Sequence, residues 1–284
     1  VPSHRLAKIE IDDIEITGYS VAGEETVVAV PQLNVCFDIG KAPDQVISID
    51  NLLLTHGHMD HTAGIAYYLS HRNFSGQTPG TVLAPQELLE PIQQIIDAHG
   101  ILDGNPIPAN LVAVRPGGEY RIKPNIFARA FATPHSRNSV GYTLIEKRKK
   151  LKPEYTKLTG PQIVELKKQG IEIDYPLEIP LVTYCGDTEP GDFTKLEFVM
   201  NSKILITECT FYTKDHISRA KAGKHTHLND LPDLMRNSKN QCIVLIHISQ
   251  RTGIGFARKM LKKVLAAEQL DRIIFLMEHN KRRR

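Results

Sequence analysis

Leu52-Leu53-Leu54-Thr55-His56-Gly57-His58-Met59-Asp60-His61 decides how this chain is read. An apolar, strand-like run ends in a stretch dense with metal-binding side chains, and a helical pattern, Ala63–Arg72, follows it. The motif therefore sits in a loop at a strand end. In an extended turn, side chains two apart point the same way. His56 and His58 then face one pocket, and Asp60 and His61, entering the next turn, face it too. Imidazole and carboxylate at this density suit a borderline divalent ion such as Zn2+, which takes about four ligands. Polar residues gathered merely to cap a helix would not bring so many ligand types together.

One such loop cannot fill two metal sites, so further ligands are sought at other strand ends. His135 follows the strand-like Phe127–Ala132, Asp187 follows Leu181–Tyr184, and His247 follows Ile243–Ile246. Each is weak alone; beside the dense motif they form a set. The simplest assignment gives His56, His58 and His135 to one ion and Asp60, His61 and His247 to the other. Asp187 bridges them, because a carboxylate can offer one oxygen to each. Two ions clamped in this way would ionise a shared water near neutral pH, ready for in-line attack on phosphorus. Asp38, at the end of Val35–Asp38, is expected to orient a ligand histidine rather than bind metal. His71, His99, His216 and His279 lack this context and are read as ordinary surface or packing residues.

Around these residues the chain alternates short β-rich runs with helical patterns. Strands are predicted at Ile14–Tyr19, Thr26–Val30, Val35–Asp38, Leu52–Thr55, Val82–Ala84, Ile126–Thr133, Val140–Ile145, Leu181–Cys185, Ile204–Thr207, Ile243–Ile246 and Ile273–Leu276. Helices are predicted at Ala63–Arg72, Gln86–Ala98, Pro161–Gln169, Leu228–Arg236 and Ile254–Ala267, the last with Phe256, Met260 and Val264 as its apolar stripe. This is an α/β chain, with two sheets packed face to face and helices outside, in one continuous domain over residues 1–284. No internal repeat is visible in the sequence.

A net charge of +3 is close to balance and does not by itself argue for nucleic acid, so any basic patch must be local. One candidate exists: the segment 147–179 opens on Lys147-Arg148-Lys149-Lys150-Leu151-Lys152 and interrupts the strand pattern. It is either a solvated helical excursion or an arm that grips an anionic polymer, and the clustering favours the arm. The four cysteines, Cys36, Cys185, Cys209 and Cys242, sit in apolar runs without a CxxC pair, which reads as buried free thiols. No apolar run is long enough for a membrane span, and Val1-Pro2-Ser3-His4-Arg5 offers no signal-peptide core, so the cytoplasm is the default compartment.

In chain order, Asp38, the HxHxDH motif at 56–61, His135, Asp187 and His247 resemble the ligand series of the metallo-β-lactamase superfamily, with Asp60 and Asp187 in the form of its phosphodiesterase members. Three further stretches narrow the resemblance to the tRNase Z family. Thr207-Glu208-Cys209-Thr210-Phe211 is similar to its Glu-containing motif, Lys224-His225-Thr226-His227-Leu228 to its extra-histidine motif, and His247-Ile248-Ser249-Gln250-Arg251 to its HxSxR element. The resemblance covers nearly the whole chain and is closest to the short, plant-like form. It implies a four-layer αβ/βα sandwich, a homodimer, two Zn2+ per chain (with Mn2+ as the alternative) and removal of the 3′ trailer from precursor tRNA. It also implies a catalytic set of Asp60, Glu208 and the extra histidine, which pairs with Glu208 and protonates the leaving 3′ oxygen. Of His225 and His227, His227 is preferred because the helical pattern starts directly after it. Lys147, Arg148, Lys149, Lys150 and Arg251 would bind the substrate backbone, with tRNA held by phosphates rather than by sequence.

Two other functions compete. One is a hydrolase of the same fold acting on small phosphodiesters or other esters, which would need neither Glu208 with its histidine nor the arm. The other is a silent nucleic-acid-binding protein, which would have no reason to keep all seven ligand positions.

Overall fold

The computed structural model describes residues 6–279; the N-terminal stretch 1–5, read above for a signal sequence, lies outside them. Its first sheet runs β1 (Ala7–Ile11), β2 (Ile14–Val21), β3 (Glu25–Val30), β4 (Val35–Phe37), β5 (Asn51–Leu53), β6 (Gly80–Pro85) and β7 (Ala109–Val114), each hydrogen-bonded to the next. The second runs β8 (Glu119–Lys123), β9 (Ile126–Ala132), β10 (Val140–Leu151), β11 (Asp174–Tyr184), β12 (Ile204–Glu208), β13 (Cys242–Ile246) and β14 (Ile273–Phe275) in the same consecutive fashion.

The two sheets share a plan that the sequence does not reveal as a repeat. In each, the first three pairings are antiparallel and the last three parallel. Parallel strands all end at the same edge, so the loops after β4 and β5 and those after β11, β12 and β13 meet at one rim. Asp38 and Asp187 follow the fourth strand of their respective sheets.

Three apolar zones make the layers. Between the sheets lie Ile16, Val28, Phe37 and Leu53 from one side and Tyr142, Tyr184, Ile206 and Val244 from the other. Outside the first sheet, Ile65, Tyr68 and Leu69 of the helix Ile65–Phe74 and Ile92 and Ile96 of the helix Leu89–Asp103 cover Val27, Leu52 and Val82. Outside the second, Leu231, Leu234, Ala257 and Leu261 cover Leu205, Ile243 and Leu245. The result is the αβ/βα sandwich, with central strands such as β3 and β13 buried on both faces and correspondingly rich in Val and Ile.

Several elements depart from the sequence reading. Strands β1, β7 and β8 were not predicted; β1 and β8 are short and lysine- and glutamate-bearing, and β7 is only half buried, so their apolar signal is thin. The helix predicted to run to Ala267 stops at Leu261, and a separate turn of helix covers Ala267–Leu270. Its buried face is Ala257 and Leu261, one residue over from the predicted stripe, and Phe256 is 45% exposed. The basic run is not helical: Lys147–Leu151 continues β10 and pairs with Asp174–Glu178 of β11, as a two-stranded ribbon beyond the reach of β9 and β12. Helix appears only at its far end, over Gly160–Lys168, begun by the Thr159–Gln162 capping box. Because β10 starts at the rim, where Val140 N–H bonds the Thr55 carbonyl, this ribbon leaves from the opposite end of the sheet.

Candidate metal centre

The rim gathers all seven predicted ligands. Ligand atoms of His56, His58, His135 and Asp187 lie within 4.8 Å of one another, as do those of Asp60, His61 and His247. Asp187 Oδ2 lies 3.1 Å from His247 Nε2 and 3.4 Å from His61 Nε2, with His135 Nε2 and His56 Nε2 at 3.8 and 3.9 Å. It therefore stands between the two groups.

Local backbone explains the convergence. Asp38 and His247 both take left-handed φ, 53° and 55°, at the strand-to-loop break, a conformation that non-glycine residues adopt chiefly where the surroundings enforce it. Gly186 has φ 63°, and a Cβ there would come within 2.9 Å of Thr55. Only glycine lets the Asp187 loop close on the histidine loop.

Each buried imidazole is oriented from behind. Asp38 accepts hydrogen bonds from Thr55 N–H at 2.8 Å, Thr55 Oγ1 at 3.0 Å and Tyr184 O–H at 2.8 Å, and meets His61 Nδ1 at 2.8 Å. With its proton committed to Asp38, the Thr55 hydroxyl can only accept from His56 Nδ1, 2.9 Å away. His135 Nδ1 donates to the Lys224 carbonyl at 3.1 Å. Thr210 gives its proton to Glu208 and receives His247 Nδ1–H at 3.0 Å. Backbone N–H of Gly23 holds Asp60 Oδ2 at 2.9 Å. In each of these four histidines the hydrogen sits on Nδ1, and Nε2 turns its lone pair inward; His58 instead turns Nδ1 toward His135 Nε2 at 3.2 Å.

Three of those four inward lone pairs have no protein partner. His56 Nε2, His61 Nε2, His247 Nε2 and Asp187 Oδ1 are buried without a hydrogen bond, a costly arrangement for polar atoms unless a cation completes it. The donor set, nitrogen and carboxylate oxygen, fits a divalent metal ion. Electrostatics agree. Burial pushes His56 and His135 down toward the neutral, ligating form. Burial alone would raise Asp187 and Asp60, yet the neighbouring His247 and His61 hold both below the usual carboxylate range. His61 runs the other way, because Asp187 and Asp38 outweigh burial and push it up.

Glu208 lies against this cluster, fully buried, accepting from Thr188 N–H at 2.7 Å. Its histidine partner is His225, whose Nδ1 is 2.8 Å from Glu208 Oε1. The expected pairing with His227 is thus corrected. His227 Nε2 donates to the Thr213 carbonyl at 3.0 Å and its Nδ1 accepts Asn229 N–H at 3.1 Å, capping the turn Leu228–Asp230, so both ring nitrogens are spent on the backbone. The start of a helix marks a cap, and His227 is that cap; His225, two residues earlier, faces the rim. His225 stacks on His247 at 5.3 Å, and its ligand nitrogen lies within 4.8 Å of a carboxylate oxygen of Asp187 and a ring nitrogen of His247. Burial lowers its pKa, but the bond and charge of Glu208 prevail and raise it.

The β-lactamase superfamily domain matches residues 28–248, a span that holds the whole cluster. The tRNase Z TRZ1 of Arabidopsis thaliana is 33% identical over 247 residues, 86% of this chain and 88% of the relative. The chain belongs to the tRNase Z family. A chloroplastic tRNase Z of the same plant, TRZ2, is 31% identical over 263 residues, 90% of this chain and 73% of the relative. The human short-form tRNase Z superposes with a TM-score of 0.58 at 17% identity, over 83% of this chain and 93% of that one. The metallo-β-lactamase fold protein YhfI of Bacillus subtilis gives 0.64 at 14%, over 93% and 96%. At these identities the two structures speak for the fold.

Thr55, Thr210 and Tyr184 were not singled out from the sequence of this tRNase Z family member, although Thr55 directly precedes the dense motif and Thr210 lies two residues past Glu208. Asp38→Asn, which frees His61 and Thr55, is expected to lower divalent-ion affinity about ten- to a hundredfold in a chelator competition titration. Unchanged affinity would remove Asp38 from the orienting role.

Proposed function

We propose that this chain removes the 3′ trailer from precursor tRNA with two divalent ions, zinc in the resting enzyme. His56, His58 and His135 would hold one ion, Asp60, His61 and His247 the other, and Asp187 both. Membership of the tRNase Z family makes it a metal-dependent endoribonuclease, and the observation that carries the detailed reading is the Glu208–His225 pair beside the cluster. Bound ions would supply Lewis acidity and lower the pKa of coordinated water.

The chain's own residues account for the other half of the reaction. A ribose 3′ alkoxide is a poor leaving group and needs a proton as the bond to phosphorus breaks. Glu208 holds the Nδ1–H of His225, so a proton on Nε2 is the one free to transfer. The raised pKa favours the doubly protonated ring that can give it. Once the proton has moved, His225 is neutral and still bonded to Glu208. Thr188 and Thr210 fix Glu208 from the other side, so the acid does not drift from the cluster. Asp60 remains a ligand whose carboxylate is steadied by Gly23.

For the substrate we propose that the arm at 147–179 grips tRNA at a distance from the cut, with Arg251, exposed on the rim, contacting the backbone near it. Lys149, Lys150, Lys157 and Lys168 are the arm's cations without an ion pair among the described residues, and Lys150 stands ten residues down β10 from the rim, roughly 30 Å at about 3.3 Å per residue. A second copy is the partner proposed for the helices Ile65–Phe74 and Leu89–Asp103. They meet near Ser70 and Asp103 and leave Tyr67, Phe74, Ile95, Ile101 and Leu102 exposed on their outer surface. No helix among the described residues is long and apolar enough to cross a membrane.

Incubating metal-replete protein with a precursor tRNA and mapping the ends is expected to show one cut leaving a 3′-hydroxyl. His225→Ala should lower kcat by at least a hundredfold with metal content retained, whereas His227→Ala should mainly lower the melting temperature. Loss of metal from His225→Ala would make it a ligand instead. Replacing Lys149 and Lys150 by Ala should weaken tRNA binding and flatten its salt dependence, with hydrolysis of a small aryl phosphodiester within twofold; equal losses on both substrates would reject the arm. Phe74→Glu with Leu102→Glu should yield monomers in sedimentation, and an unchanged sedimentation coefficient would place any dimer contact elsewhere.

A further inference from the structure

The most cationic stretch of the sequence is largely neutralised in the fold. Lys147 pairs with Glu119 and Glu178, Arg148 with Glu146, Lys152 with Glu172 and Lys167 with Asp174. A less conspicuous set of cations lies on the segment that leads into the metal centre. The segment 214–224, a turn over Lys214–His216 followed by the helix Ile217–Gly223, leads directly into His225. It is fastened at two points: the Lys224 carbonyl accepts from His135 Nδ1 at 3.1 Å, and His225 N–H bonds the Ala220 carbonyl at 2.9 Å.

Lys214, Lys221 and Lys224 on this segment are exposed and form no ion pair among the described residues. Arg219, by contrast, has Asp215 one turn away within its field. Lys214 opens the turn, Lys221 lies in the last turn of the helix and Lys224 directly follows it. Lys224 is also held at φ 52°, the left-handed position ending the helix, where glycine is favoured and a lysine backbone is strained. The fold keeps a long ammonium side chain at a site where its backbone would sooner have none, within one residue of the proton donor.

We propose that Lys214, Lys221 and Lys224 form a phosphate clamp for the RNA strand on the 5′ side of the scissile bond. This rests on the endoribonuclease reading above. The side follows from chemistry: His225 protonates the 3′ oxygen, that oxygen stays with the strand 5′ of the cut, and the lysines share a segment with His225. The clamp recognises phosphates, not bases, and acts close to the cut, where the arm acts far from it.

The test is a hairpin RNA comprising the acceptor stem and a short trailer, too small to reach the arm. Against wild type, the triple variant Lys214→Ala, Lys221→Ala, Lys224→Gly is expected to lose at least tenfold in kcat/KM, mostly through KM. The slope of log(kcat/KM) against log salt should become shallower by about two, since single-stranded and duplex contacts each contribute somewhat less than one. The corresponding triple arginine variant should restore most of the loss. Lys224→Gly alone should melt no lower than wild type, because glycine suits that φ, which separates a binding defect from a folding one. Wild-type cleavage of the hairpin by the alanine–glycine variant, or an unchanged salt slope, overturns the clamp. Direct titration of the same hairpin without its trailer gives an independent reading: the variant should bind it at least fivefold more weakly, and equal binding overturns the clamp. If wild type binds this hairpin but cuts no precursor, the endoribonuclease reading fails on its own.

Discussion

The buried carboxylate of Asp38 is the constraint on which the rest depends. It sits after β4 of one sheet, takes the hydroxyl of Tyr184 from β11 of the other, and holds both Thr55 and His61 of the histidine loop. Burying a charge is expensive unless several donors surround it, and here those donors are the parts that must be kept in register. Through Thr55 the same carboxylate fixes the tautomer of His56. Sheet docking and ligand orientation are thus one hydrogen-bond network, and the left-handed φ of Asp38 is what aims the side chain into it.

Much of the fold and of the site could be read from the chain because each rested on a local signal. HxHxDH is dense enough to need no context, and His135, Asp187 and His247 each follow an apolar run that is a strand. What failed had no such signal. Strands β1 and β8 alternate lysine and glutamate with apolar residues on short edges. The basic run Lys147–Lys150 carries no strand signal of its own, because the glutamates that pair with Lys147, Glu119 and Glu178, are distant in sequence and only the hairpin register brings them alongside. Side-chain charge is local in sequence; its neutralisation is not.

The choice between His225 and His227 shows where local rules mislead. A histidine directly before a helical pattern is well placed to cap it, and His227 does so with Nδ1 while Nε2 is tied to the Thr213 carbonyl. The same fact that made it prominent occupies it. His225 comes after the left-handed Lys224 and is free to meet Glu208, a pairing that depends on β12 and on the turn after Gly223 rather than on any pattern in the five residues of the motif.

The cage is assembled from both sheets, with its histidines and aspartates spread from His56 to His247. During synthesis the dense loop emerges first and for a long interval faces no opposing wall. An ion met at that stage finds open, weak coordination; firm retention needs the second sheet docked and the last strand-end histidine in place. Capture of metal by this set would therefore coincide with completion of the sandwich, so the free energy of loading would lock the finished architecture rather than trap a half-made one.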